Sequence, residues 1–471
     1  MDYSQFLQKK QFNDVRACFE ISHENIPASP MSVKTLKDFQ IALVRWALIK
    51  GRAAIFADTG LGKTAMQTTW AHHVSNYTDG YVLIFAPLAV SMQTVEEAAD
   101  FGVTVTYVRS ESELKEAGVY ITNYEMRENF DLSSFSGVAL DESSILKSQD
   151  GRTRTELIES CQIVPYRLSC TATPSPNDFM ELGNQSEFLG IMSQVEMLAM
   201  FFVNDTGNTG TWRLKGHAKS KFWEWMATWA AVIRKPSDLG FSDEGYDLPP
   251  LNIIEHVIET QVTEHEGQGQ LFAVPAQTMN DRRKAKRETI EERCSLAAGL
   301  VNDCDEPGWI VWCHLNDEQD LLESMIVRNA TSVRGADKMD DKEQRLIGFS
   351  HGEYSTMITK GSIAGFGMNW QHTHNQVFVG LDDSFEKFYQ SVRRQLRFGQ
   401  KHPVNVHLVV ADTEGAVKAN LERKQKQHDE ISESMVSHMR ELMQKHITGT
   451  SNEKIEYNPT VDMSLPYFMA S

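Results

Sequence analysis

Short apolar runs separated by polar, helix-compatible stretches recur through the first part of the chain: AAIFA (53–57), YVLIFAP (81–87), VYITN (119–123), GVALDE (137–142) and YRLSCTA (166–172). Runs of strand length, with longer segments between them, predict β-α units wound around a buried parallel sheet. From 191 to 240 the texture turns Met- and Trp-rich, and FWEWMATWAAVIRK predicts an amphipathic helix inside a helical insertion or cover. Its aromatic side chains read as core packing rather than as a ligand box. The cluster SDEGYDLPPL (242–251) gathers Gly, Pro and acidic residues and marks a boundary. Strand-like runs resume at GWIVWCH (308–314), STMITKG (355–361), NQVFVGL (375–381) and VNVHLVVA (404–411), which predicts a second α/β domain. Beyond them a charged, periodic stretch predicts one or two helices, and the tail after 449 has no periodicity. The expected division is an N-terminal extension (1–32), a first domain (33–245) holding the insertion at about 191–240, a second domain (246–412), C-terminal helices (413–449) and a tail (450–471).

Composition narrows the class. At 471 residues, 41% hydrophobic and 23% charged, the chain resembles ordinary soluble globular proteins with more than one core. No run is long enough for a membrane span, and the polar start MDYSQFLQKKQF does not read as a secretory signal, so a cytoplasmic protein with no membrane partner is expected. Six cysteines without a C-x-x-C pair read as buried free thiols. A net charge of −18 argues against nonspecific nucleic-acid binding through total charge, but leaves room for a local basic groove.

Candidate chemistry begins at ADTGLGKT (57–64), directly after the first apolar run. It fits G-x-x-x-x-G-K-[ST] with Ala57 in place of the first Gly. A Gly-rich turn between strand and helix, here with Thr59, Gly60 and Gly62, presents backbone N–H groups and a helix N-terminus to phosphates. Lys63 then reaches the β- and γ-phosphates of ATP, and the Thr64 hydroxyl ligates Mg²⁺. A second signal is GVALDESS, where an apolar strand ends in Asp141 and Glu142: one carboxylate for Mg²⁺, its neighbour to orient or deprotonate the attacking water. The third is YQSVRRQLRFGQ (389–400) in the second domain, where Arg394 and Arg397 share a helix face and supply guanidinium groups suited to a γ-phosphate.

The ordered set resembles the superfamily-two helicases and, within them, the Swi/Snf-like ATPases, over most of residues 33–425. LKDFQ (36–40) is similar to the family's adenine-reading element, which implies an adenine contact at Gln40. ADTGLGKT and DESS resemble motifs I and II, and ITNYE (121–125) resembles the Thr-Tyr-Glu segment beside the nucleic-acid path. CTATPSPNDFMELGNQSEFL (170–189) is similar to motif III with its following Asn and Glu-Leu, here Asn177, Glu181 and Leu182, and implies a coupling role for Thr171 and Thr173. VRGADKMDDKEQRLIGF resembles the R-x-x-G segment with its later Arg345 and Phe349. GSIAGFGMNWQ (361–371) resembles motif V, with Gly367 as a nucleotide contact. QSVRRQLRFGQ matches motif VI at Gln390, Arg394, Arg397, Gly399 and Gln400. The departures are Ser143-Ser144 after Asp-Glu, Lys37 where Arg is usual, and KGSIAGFG in place of a Gly-Gly-rich motif V. In compactness the chain is similar to the minimal phage and bacterial members.

This resemblance implies two tandem RecA-like parallel-sheet domains with an ATP cleft between them, and a DNA-dependent ATPase that translocates on or remodels duplex or branched DNA. Lys63, Asp141, Glu142, Gln390, Arg394 and Arg397 carry the chemistry. Thr122, Lys360 and Ser362 are carried over from motif position as phosphate contacts on the strand. The basic run NDRRKAKRE (280–288) reads equally as a duplex contact or a solvated helix. A strand-separating DNA or RNA helicase is the near alternative; an ATP-switched clamp without directional motion is the alternative of another class. Leu465, Tyr467 and Phe468 on the terminal tail read either as a docking peptide for a replication or recombination partner or as a frayed end.

Overall fold

The computed structural model describes residues 19–27, 32–147, 151–175, 178–204, 212–259, 289–364, 368–381, 384–397, 399–412 and 415–448. Two parallel sheets dominate it. The first is built from β1 (Arg52–Ala57), β2 (Tyr81–Ala86), β3 (Val105–Tyr107), β4 (Gly118–Asn123), β5 (Phe135–Asp141), β6 (Tyr166–Thr171) and β9 (Ala230–Ile233), in spatial order β3-β4-β2-β5-β6-β1-β9. A short antiparallel pair, β7 (Phe202–Asn204) and β8 (Trp212–Leu214), stands apart from it. The second sheet runs β10-β15-β14-β11-β13-β12, from β10 (Leu251–Ile258), β11 (Trp309–Cys313), β12 (Ala330–Val333), β13 (Thr356–Lys360), β14 (Asn375–Val379) and β15 (Val404–Ala411).

Both are two-sided sheets, and the sequence shows why. β1, β2 and β4 each bury five consecutive residues, as a parallel strand covered on both faces must. In the second sheet the alternation of side chains separates two cores: Ile310, Trp312 and Phe378 fall on one face, while Trp309, Val311, Cys313 and Val377 fall on the other. These are tandem RecA-like domains with helices on both faces.

Within 191–240 the structure departs from the helical expectation. Gln194–Phe201 and Lys219–Ala227 are helices, but the second stops at Ala227. The following Ala230–Ile233 is a fully buried strand that pairs parallel with β1. A run of four apolar residues carries no periodicity that distinguishes strand from helix, and the open edge of β1 decides it.

The C-terminal helix, Gly415–Met443, leaves the second domain and returns to the first. Met435, Val436, Met439 and Met443 enter the first domain's core. His438 stacks on Trp223 with ring centroids 5.4 Å apart, and the Met443 sulfur accepts the backbone N–H of Val232 at 3.0 Å. The helix thus covers the β9 edge of the sheet. Among the described residues no helix is long and apolar enough to cross a membrane. Cys161, Cys170, Cys294, Cys304 and Cys313 are free.

Candidate nucleotide cleft

The candidate phosphate loop follows β1. Gly60 and Gly62 adopt φ of 86° and 80°, in the left-handed region open to glycine, and the helix Lys63–Thr78 starts directly behind them. Gln40 is buried beneath the loop: its Oε1 accepts from the Lys37 N–H at 2.8 Å and its Nε2 donates to the Leu61 carbonyl at 2.9 Å. Lys63 Nζ donates to the Ala57 and Asp58 carbonyls at 2.9 and 3.4 Å. Burial lowers its pKa, while Glu142, Asp58 and Asp141 oppose the shift.

Asp141 ends β5 and Glu142 follows in the left-handed region, at φ 53°. Burial, and then the adjacent Glu142, raise the Asp141 carboxyl well above the usual carboxylate range. Two neighbouring buried carboxylates, with Lys63 the nearest cation acting on Asp141, form a hard-oxygen donor set that suits a divalent cation. Among the described residues no cluster of three or more His, Cys, Asp or Glu side chains could hold a metal alone, so Asp141 and Thr64 fit Mg²⁺ only together with phosphate oxygens.

A line of hydrogen bonds leaves Glu142 and crosses between the domains. Thr171 Oγ1 donates to Glu142 Oε2 at 3.3 Å, the Thr173 N–H to Thr171 Oγ1 at 3.1 Å, Gln390 Nε2 to Thr173 Oγ1 at 3.4 Å, and Arg394 Nη2 to Gln390 Oε1 at 2.8 Å. All five residues are buried. Every donor points toward the carboxylate, and at Thr173 the line passes from the side-chain hydroxyl to the backbone N–H. Arg394 Nη1 and Arg397 Nη1 also donate to the Met368 carbonyl, at 3.2 and 3.3 Å. Burial lowers both guanidinium pKa values, Arg394 to about 10, with Glu142 opposing.

Ser143-Ser144, the departure after Asp-Glu, is accommodated in a polar knot. The Ser143 and Ser169 hydroxyls lie 2.8 Å apart, Ser169 also bonds Gln185 Oε1, and Gln185 Nε2 donates to the Ser143 carbonyl at 2.9 Å. Gln400, the final residue of YQSVRRQLRFGQ, donates inward to the Gln371 and Thr373 carbonyls at 3.1 and 2.8 Å and so shapes its own loop.

Three residues absent from the expected set also meet here. The Asp58 carboxylate accepts from the Thr59 N–H at 2.6 Å and from the Tyr389 hydroxyl at 3.2 Å, and lies 3.8 Å from Arg393. All three stand inside the quoted motif runs. What no pattern along the chain indicates is that they face one another across the cleft.

The expected nucleic-acid contacts are not brought together in the same way. Ser362 is exposed and Lys360 donates to Asn316 Oδ1. Thr122 is fully buried in β4, its hydroxyl without a partner, so in this conformation it presents nothing to a strand at the surface. Gly367, Asn177, the run 280–288 and the tail after 448 lie outside the described residues.

No protein-family model matches the chain, and no curated protein matches it. Solved structures do. One of Saccharomyces cerevisiae Dbp5 bound to RNA and ADP–BeF3 is similar with a TM-score of 0.52 and 12% identity, over 82% of this chain and 89% of that one. A single-residue variant of Dbp5, also with RNA and ADP–BeF3, gives 0.57 and 11%, over 89% of this chain and 99% of that one. The variant bound to a Gle1 variant and IP6 gives 0.50 and 12%, over 87% and 92%. At such identities the likeness is one of fold, the tandem RecA-like architecture, with nothing that singles out a Swi/Snf-like branch.

Proposed function

We propose that the protein is a nucleic-acid-dependent ATPase of superfamily-two type, and that it couples ATP hydrolysis to movement on, or remodelling of, duplex or branched DNA in the manner of the Swi/Snf-like translocases. The observation that carries the reading is the buried hydrogen-bond line from Glu142 to Arg394, which joins a water-activating carboxylate in one domain to a phosphate-binding guanidinium in the other.

ATP enters with its phosphates on the N–H groups of Thr59 to Thr64, where Lys63 exchanges its carbonyl partners for phosphate oxygens. Gln40 fixes the loop beside the base. Thr64 and Asp141 would hold Mg²⁺, which would supply charge neutralisation to the phosphates. Glu142 orients and deprotonates the attacking water, and Thr171 keeps its carboxylate aimed. Arg394 and Arg397 meet the γ-phosphate from the second domain, so product release loosens the hold between domains and the cleft opens. A strand lying across both domains moves with that opening.

DNA as the track rests on the resemblance of QSVRRQLRFGQ and of the segment around CTATP to Swi/Snf-like proteins. RNA is the second reading, favoured by the RNA in the similar Dbp5 structures. A replication or recombination partner docking on residues after 449 belongs to the same proposal, and loss of a pull-down partner on deleting them tests it. The deciding experiment is steady-state ATP hydrolysis without nucleic acid and with single-stranded, duplex or forked DNA or RNA, using Lys63→Ala and Glu142→Gln as controls. Stimulation by duplex or forked DNA, lost in both variants, supports the translocase. Stimulation by RNA alone transfers the motor to the second reading, and a low rate indifferent to every nucleic acid overturns both in favour of a switch.

A further inference from the structure

The helix Phe385–Val392 and the turn after it carry two sets of side chains facing different ways. Gln390, Arg394 and Arg397 serve the cleft described above. Tyr389 and Arg393 face elsewhere. Tyr389 donates its hydroxyl to Asp58 in the phosphate loop at 3.2 Å, and the Arg393 guanidinium lies over the Tyr389 ring, 5.0 Å from its centroid. Arg393 Nη2 is 3.8 Å from Asp58 Oδ2, while Nη1 is buried without a hydrogen-bond partner. The guanidinium therefore has an ionic partner on the first domain and an unspent donor.

A third element closes this junction. Asp58 and Tyr389 line a cavity of about 20 Å³ together with Asp429 and Ser432 of the C-terminal helix. Asp429 acts electrostatically on Arg393, adding to the effect of Asp58 in holding it charged against burial. That helix is itself anchored on the first domain by Met435, Met439 and Met443. Asp58 of the loop after β1 and Tyr389 of the second domain thus meet Asp429 and Ser432 of the C-terminal helix around one cavity, beside the Arg393 guanidinium.

We propose that Arg393 is a positioning residue that fastens the turn carrying Arg394 and Arg397 to the phosphate loop through Asp58 and to the C-terminal helix through Asp429, making the C-terminal helix a built-in regulator of cleft closure. Arg393 touches no reacting atom; it sets how often Arg394 and Arg397 stand ready. The inference deepens the ATPase reading and rests on it for its catalytic arm, while its structural arm stands apart.

The test uses the full chain with Arg393→Gln, Arg393→Lys, Asp429→Asn and the double variant Arg393→Gln/Asp429→Asn, each checked for unchanged melting of the first domain. Small-angle X-ray scattering without nucleotide or nucleic acid reads closure. Expansion is expected in Arg393→Gln and Asp429→Asn, return toward wild-type compactness in Arg393→Lys, and no further expansion in the double variant. Nucleic-acid-stimulated hydrolysis should show kcat lowered about tenfold in Arg393→Gln. KM for ATP should stay within about threefold, because Lys63, Thr64 and Gln40 hold the nucleotide from the first domain alone. Unchanged scattering in Arg393→Gln overturns the proposal. Expansion in Arg393→Gln with a wild-type Asp429→Asn, or additive effects in the double variant, overturns the role of the C-terminal helix. A wild-type chain that hydrolyses no ATP with any nucleic acid defeats the ATPase reading instead, and scattering still decides the junction.

Discussion

Gln390 of the second domain donates to the hydroxyl of Thr173 of the first, 3.4 Å away, while its own carbonyl oxygen is held by Arg394 at 2.8 Å. One amide thereby joins the two domains at the proposed site, and its two ends cannot exchange roles without breaking both bonds. Gln390→Ala leaves the proposed nucleotide-binding groups of the first domain in place but removes the side-chain bond to Arg394, whose bonds to the Gln390 and Met368 backbone carbonyls remain. The expected outcome is a kcat lowered about 10- to 100-fold with KM for ATP nearly unchanged. Arg394→Ala should cost more, about 10³-fold. Steady-state hydrolysis at saturating nucleic acid measures both. An equal or larger fall in Gln390→Ala would mean that Gln390 meets the phosphate itself.

Gly62 tests the phosphate loop. Its φ of 80° disfavours any side chain, and a Cβ there would stand 2.3 Å from Gln40 Nε2. Gly62→Ala must therefore displace Gln40 from the Leu61 carbonyl as well as strain the loop, at a cost of about 1–3 kcal/mol. Nucleotide binding should weaken, and Gln40→Ala should reproduce part of the loss without the backbone term. Titration with a fluorescent ADP analogue compares them; full affinity in Gly62→Ala would show that the loop opens without cost.

Much of this architecture is legible in the chain because its strands are buried on both faces. Tyr81–Ala86, Gly118–Asn123 and Val404–Ala411 stand out as apolar runs within a residue or two of their ends. Ala230–Ile233 does not, since a short apolar run beside a Trp-rich helix reads as its continuation, and only the vacant flank of β1 makes it a strand. The site divides similarly. Lys63 behind the glycines and Asp141 at its strand end stand where the local pattern puts them, whereas Arg394 and Arg397, expected on one helix face, lie in the turn after the helix Phe385–Val392. Asp58 and Arg393 are not readable, because their partnership spans two domains and no period along the sequence records it. The return of the C-terminal helix to the first domain is likewise invisible: Met435, Met439 and Met443 announce an apolar stripe, but not which core it enters.

That return can be weighed against the surface contact beside it. Asp238 is buried and accepts from the Arg234 N–H at 2.8 Å, the Lys235 N–H at 3.1 Å and Arg440 of the C-terminal helix at 2.8 Å. Asp238→Ala removes the shared acceptor of two backbone N–H groups as well as the partner of Arg440, with an expected loss of about 2–4 kcal/mol. Arg440 is 48% exposed, so Arg440→Ala should cost only about 0.5–1 kcal/mol, water replacing the lost partner. Urea unfolding of the two variants checks the ranking. Equal losses would mean that the ion pair, rather than the turn after β9, holds the helix down.

Acid should weaken the first domain through its buried histidine over a range in which its ordinary carboxylates stay ionised, while Asp141, whose carboxyl burial raises, titrates in the opposite sense. His73 is buried, its Nε2 lies 2.7 Å from the Ile26 carbonyl, and burial lowers its pKa below the ordinary 6.5. The ring is consequently neutral in the folded chain over a range where the unfolded chain takes up a proton. The unfolded state then binds more protons, so stability falls as pH drops below about 6.5 and levels off only once the folded-state value is passed. His72 is shifted the same way by burial and by His73, which adds to the effect. Urea midpoints should decline between pH 7.5 and pH 5.5, a window in which ordinary carboxylates stay ionised. His73→Gln keeps an N–H for Ile26 and removes the titration, so it should shrink that decline while changing the pH 7.5 midpoint little. An undiminished decline in His73→Gln would assign the acid sensitivity to another histidine, such as the half-buried His446, whose value burial also lowers.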